Sequence, residues 1–164
     1  MSGNRRRSYE AGHRPKFLVV VDNTEECDRA VYFAARRVSR IGATLMMLVV
    51  IDSSDFPNWL GVADVMTAEA QSEAEAALEH HAAKARALAG IEPECIVRIG
   101  VKADEIIKLI DDDQDISILV LAAGTGKEGP GPLVSLVALS AASFPIPVAI
   151  VPGSLSNEEI DALA

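Results

Sequence analysis

At 164 residues with a formal net charge of −9, the chain is long enough to bury roughly two-thirds of its unfolded surface in one domain, and its acidity opposes attraction to a nucleic-acid backbone. The apolar share of 49% comes mostly from Ala, Val, Leu and Ile, which favours buried strands covered by Ala-rich helices. Two cysteines are too few for a disulfide framework and no apolar run reaches the roughly 18 residues of a membrane span, so a cytoplasmic protein with no membrane anchor is expected.

Residues 1–15 carry Arg5, Arg6, Arg7 and Arg14 without an apolar segment of secretory length, and are expected to form a flexible basic arm outside the fold. Phe17 to Val21 is short, β-rich and continuous, as a strand buried on both faces of a parallel sheet requires. Asp22-Asn23-Thr24 stops it. Thr24 is placed to cap a helix whose apolar positions Ala30, Val31, Ala34, Ala35 and Val38 recur at helical spacing until Gly42.

Leu45 to Ile51 is a second buried run, followed by an irregular stretch from Asp52 to about Val65 that is long enough to suspect function. Phe56, Pro57, Trp59 and Leu60 in it suit either a lid over a pocket or a plug or partner contact. Thr67 to Leu88 is rich in strong helix formers and ends at Gly90. Cys95 to Ile99 reads as a weaker, partly exposed third strand. Asp104 to Ile110 is a short amphipathic helix, Ile116 to Ala123 the fourth strand, and Pro132 suits the first position of a helix running to about Ser143. Val148 to Val151 closes the pattern as an edge strand, because Pro145, Pro147 and Pro152 around it cannot donate to a ladder. Ser156 to Glu159 has the form of a capping box, so the extension 153–164 is expected to hold a short helix that covers this edge or a partner.

Strands alternating with helices in this way give an α/β fold: right-handed crossovers and a single-domain, doubly wound five-stranded parallel sheet of order 3-2-1-4-5. In that order the ligand crevice lies between strands one and four, outside their carboxyl ends. The Asp22 turn and the Gly124 loop should meet there.

Several segments carry a resemblance to one family. Lys16 to Thr24 resembles the opening strand and turn of universal stress proteins. The resemblance extends to Val50-Ile51-Asp52, to Gly100 followed by Asp104-Glu105-Ile106-Ile107, to the glycine loop from Leu119 to Gly131, and to the closing strand Phe144 to Val151, and it covers residues 16–152 as the domain. It implies an adenine-nucleotide α-hydrolase-like fold and a stress-response role. In the ATP-binding branch the fourth strand runs into Gly-x-x-Gly and then Gly-Ser or Gly-Thr opening the last helix, whose amides and dipole hold phosphates. This loop departs from that pattern. One register puts Val134-Ser135 at the closing pair with Leu121 at the first glycine, the other puts Leu139-Ser140 there. Val134 adds a branched side chain, and Pro130 and Pro132 each remove an N–H.

Candidate ligand residues are Asp22, Asn23, Thr24, Val50, Ala123, Gly124, Thr125, Gly126, Lys127, Gly129, Gly131, Val134 and Ser135. Asp22 suits a sugar hydroxyl or a backbone cap near Thr24; Val50 suits a base or simple core packing; the glycines suit phosphate or a turn needing positive φ. ATP with Mg²⁺ therefore stays open as cofactor. His80 and His81 diverge on their helix, and Asp111, Asp112, Asp113 and Asp115 read as a solvated turn, so no metal site is expected. Cys27 carries no redox expectation. No catalytic constellation stands out. The leading reading is a non-catalytic nucleotide-pocket or signalling protein, a homodimer through Val148 to Val151 with an unidentified protein partner; the alternatives are slow ATP hydrolysis and an interaction module that binds no nucleotide.

Overall fold

The computed structural model describes residues 5–53 and 62–164. Phe56, Pro57, Trp59 and Leu60 lie outside them. The chain runs β1 (Lys16–Val20), α1 (Cys27–Ile41), β2 (Thr44–Asp52), α2 (Val62–Ala89), β3 (Glu94–Gly100), α3 (Lys102–Asp112), β4 (Ile116–Ala123), α4 (Pro132–Leu139), a 3₁₀ turn (Ala141–Ser143), β5 (Val148–Pro152) and α5 (Asn157–Leu163). The five strands form one sheet of order β3-β2-β1-β4-β5, every pairing parallel.

The continuous apolar runs are explained by two cores. Phe17, Val19, Leu45, Met47 and Val120 pack with α1, α2 and α5 on one face. Leu18, Val20, Met46, Leu48, Leu119 and Leu121 pack with α3 and α4 on the other. Because consecutive strand residues point to opposite faces, a strand covered twice has no polar position to spare. β3, an edge, is only partly buried along its length, which accounts for its weaker sequence signal.

Gly42 closes α1 in the left-handed conformation at φ 71°, its N–H reaching the Val38 carbonyl. The start of α1 differs from expectation. Glu26, not Thr24, is the N-cap and contributes no side-chain cap, because Thr24 instead donates both its N–H and its Oγ1 to Asp22 Oδ1, at 2.9 and 2.5 Å. Two helices start earlier than their periodicity suggests, α2 at Val62 and α3 at Lys102. α4 stops at Leu139, where Ser140 Oγ donates to the Leu136 carbonyl at 2.9 Å and the chain tightens into the 3₁₀ turn before the extended Phe144-Pro145.

The N-terminal segment is docked over its described part rather than held off as an arm. Both Arg6 Nη atoms donate to the Ile110 carbonyl at 2.7 Å, the Arg7 N–H reaches the Gln114 carbonyl at 2.9 Å, and His13 Nδ1 lies 2.7 Å from Asp115 Oδ1. The Arg6 guanidinium thereby meets the carbonyl end of α3, and His13 meets the acidic turn after it. α5 has the expected capping box, with Ser156 and Glu159 bonded reciprocally. It covers α1 rather than the β5 edge: Ile160 is fully buried in the α1 core, Tyr32 Oη and Arg36 Nε both donate to Asp161 Oδ1, and Arg40 reaches the carbonyls of Asp161 and Ala164.

His81, on α2, is buried, and its Nδ1 has no partner. Burial holds the imidazole below its usual pKa, with His80 and Lys84 acting in the same direction against Asp28 and Asp22. The unfolded chain therefore takes up a proton at His81 first, and stability is lost as pH falls from the unperturbed value near 6.5 towards the lowered folded one. Each pH unit across that window is expected to remove up to about 1.4 kcal/mol. Melting temperatures at pH 7.5 and 5.5 should fall more steeply in the wild type than in His81→Phe; parallel slopes would show that His81 titrates alike folded and unfolded.

Candidate functional site

Strand order reverses at β1, so the carboxyl ends of β1 and β4 diverge and leave a crevice between their following loops. Its lining includes Asp22 and Thr24 from the β1 turn, Glu26 and Cys27 from the start of α1, Lys102 from the start of α3, and Gly131 and Val134 at the start of α4. The cavity is about 60 Å³, well short of the roughly 300 Å³ at which small-molecule pockets begin.

The turn and the glycine loop thus meet, and Asp22, Thr24, Gly131 and Val134 are brought together. Asp22 spends Oδ1 on Thr24. Val134 is buried and belongs to the α3/α4 core as well as to the crevice. The remaining candidates lie elsewhere. Val50 is buried in the same core and is not part of the lining. Asn23, Thr125, Gly126, Lys127 and Ser135 are outside the lining, and all but Gly126 carry side chains on exposed residues. Ala123 also lies outside it, its carbonyl accepting the Gly153 N–H at 2.9 Å.

A phosphate cradle needs converging, unspent amides. Here the Gly124 N–H donates to the Pro130 carbonyl at 3.0 Å and the Gly129 N–H to the Gly126 carbonyl at 3.2 Å, while the Ser135 N–H makes the first bond of α4, to the Gly131 carbonyl at 3.1 Å. Pro130 and Pro132 have no N–H to offer. Gly129 and Gly131 adopt φ of 90° and 107°, so their glycines serve the turn itself. No group of three or more His, Cys, Asp or Glu among the described residues is placed to hold a metal. At about 60 Å³ the crevice formed by the described residues does not accommodate a triphosphate with its Mg²⁺ as it stands.

Two charged lining residues escaped the sequence reading. Glu26 belongs to the acidic turn 22–26, where its charge was visible but its direction was not. Lys102 follows Gly100-Val101, and only the crossover of α3 brings it to the carboxyl edge of the sheet. Cys27 is buried, and that burial, which outweighs the backbone hydrogen bond at Asp22, pushes its thiol up to about 11.

The family model of universal stress proteins matches residues 13–152. The chain belongs to the universal stress protein family. Solved structures agree in fold. The Lactobacillus plantarum universal stress protein UspA superposes with a TM-score of 0.70 at 19% identity, covering 84% of this chain and 97% of its own. A universal stress protein in complex with cAMP gives 0.61 at 21%, covering 85% and 98%. The Archaeoglobus fulgidus universal stress protein in complex with dAMP gives 0.60 at 18%, covering 84% and 97%. No curated protein sequence matches the chain. Among the described residues of this universal stress protein, no helix is long and apolar enough to cross a membrane.

Thiol accessibility distinguishes the crevice wall from the sheet edge. Cys95 on β3 is exposed and Cys27 is buried. Under iodoacetamide at pH 8, intact mass should show one adduct on the folded protein, mapped to Cys95, and a second only on unfolding. Equal labelling of both in the folded state would mean that the α1 start opens readily.

Proposed function

We propose that this universal stress protein is a non-catalytic, nucleotide-responsive signalling protein of the stress response, acting in the cytoplasm as a homodimer through β5. The observation that carries this reading is the crevice at the reversal of strand order. It is lined by the Asp22 turn and the first turn of α4, yet it encloses only about 60 Å³, and among the described residues no group of three or more His, Cys, Asp or Glu is placed to hold the metal of a triphosphate. Hydrolysis needs room for the phosphates and a metal to bridge them. The relatives solved with cAMP and dAMP support a ligand of the adenosine monophosphate class in that position.

Calorimetric titration of the nucleotide-stripped protein tests this. Adenosine and AMP are expected to bind weakly, ATP with Mg²⁺ no better than AMP, and no phosphate should be released. Val134→Gly, by removing a side chain that narrows the crevice, should strengthen adenosine and AMP alike. Tight ATP binding with turnover would establish the slow ATPase instead. Silence towards adenosine and AMP in both proteins would leave an interaction module.

The dimer reading rests on β5, which among the described residues pairs only with β4 and so leaves a row of backbone groups unused, with Ile150 exposed among them. Ile150→Lys should lower the sedimentation mass from dimer to monomer without lowering the melting temperature by more than a few degrees. An unchanged dimer would move the interface elsewhere.

A further inference from the structure

Three segments converge on one carboxylate beside the crevice. Glu26 stands at the N-cap of α1, but its side chain does not cap the helix; it crosses to the loop after β4. Its Oε1 lies 3.0 Å from where a Cβ on Gly124 would be, and its own Cβ lies 3.1 Å from the corresponding point on Gly153. Neither glycine has a positive φ, so the backbone does not require them. Close approach does: a Cβ on Gly124 would also meet the Gly129 carbonyl at 3.2 Å, and one on Gly153 the Ala123 carbonyl at 2.5 Å. The two glycines admit the Glu26 side chain to a position that a ligand phosphate would otherwise approach.

Across the same small cavity stands Lys102. Of the neighbouring carboxylates, Asp28 is paired with Arg29 and Lys84, and Asp22 is turned to Thr24, whose N–H and hydroxyl bond its Oδ1 without cancelling its charge. Among the described residues neither the Glu26 nor the Lys102 side chain has a hydrogen bond or an ion pair. One carboxylate against the glycine loop and one ammonium, both unspent, therefore face the cavity.

We infer that Glu26 is an electrostatic gate that holds the crevice against phosphate-bearing nucleotides, and that Lys102 is the cation that receives the phosphate once the Glu26 charge is removed. The inference rests on the crevice being the nucleotide site. A like charge at a few ångströms in a partly desolvated cavity opposes a phosphate strongly and leaves an uncharged nucleoside unaffected. The gate thus discriminates by ligand charge, where Val134 discriminates by size.

The test is titration of adenosine and of AMP into the wild type, Glu26→Gln, Glu26→Ala, the double variant Glu26→Gln with Lys102→Met, and Val134→Gly, each confirmed folded by its melting curve. Glu26→Gln and Glu26→Ala should each raise AMP affinity about tenfold or more, with adenosine affinity unchanged. Adding Lys102→Met should take that gain away. Val134→Gly should improve both ligands equally. If adenosine binds but AMP gains nothing from either Glu26 substitution, or if adenosine gains as much as AMP, the gate is refuted while the crevice reading stands. If no protein in the series binds adenosine or AMP, the crevice reading fails and the gate with it.

Discussion

The central position of β1 is the constraint on which the rest of this molecule depends. Val19 and Leu18 are completely buried, one on each face, and β1 pairs with β2 on one side and β4 on the other. A strand so enclosed must be apolar throughout, and the chain can leave it only through a tight turn. Sending β2 and β3 to one side and β4 and β5 to the other puts the reversal at that turn. The meeting of residues 22–26 with residues 124–134 follows from connectivity and handedness alone. Lys16 secures the opposite end: its Nζ donates to Asp113 and Glu94 at 2.9 and 3.0 Å, and although burial opposes the charge, these partners raise its pKa.

What the crevice can hold is decided by the accounting of amides. A loop after β4 can turn its N–H groups outward to an anion or inward to its own carbonyls, and this loop turns two inward, at Gly124 and Gly129. Proline at 130 and 132 removes two donors and restricts the path of the chain between them. Val134 fills space from the helix side and Glu26 fills it with negative charge from the other. The glycine content that suggests phosphate binding is thus partly consumed by the geometry of the turn, at Gly129 and Gly131, and partly by the approach of Glu26, at Gly124.

Much of this was legible in the sequence. Runs such as Leu45 to Ile51 announce a doubly covered strand because pleating leaves no solvent face, and prolines around Val148 to Val151 announce an edge because they cannot donate. The crevice location was legible for the same reason, being a matter of strand order. Direction of side chains was not. Thr24 and Glu26 are both plausible at the start of α1, and only the competition between Asp22 and the helix for the Thr24 hydroxyl decides which one caps. Val50, at the carboxyl end of β2, satisfied the pattern for a base contact, but one residue of pleat determines whether a strand-end side chain faces a ligand or the α3 core. The docking of residues 5–15 was hidden because Arg6 reads as a solvated charge until the carbonyl end of α3 is placed beside it.

Among the described residues the starts of α1, α3 and α4, all beside the crevice, have no side-chain cap, and the contrast with α5 is informative. α5, a helix of seven residues, carries a full capping box, and α1 ends on a left-handed glycine with its carbonyl satisfied. The start of α1 forgoes its side-chain cap, a loss of about 1 kcal/mol in a typical helix, although a threonine and an aspartate stand within four residues of it. Those two residues bond each other instead and shape the turn at the mouth of the crevice, while the N-cap glutamate lies against the glycine loop. A sequence under selection for stability alone would not leave that position uncapped with suitable groups so near. The stability given up at the α1 start is concentrated at the reversal of strand order, beside the crevice proposed to take the ligand.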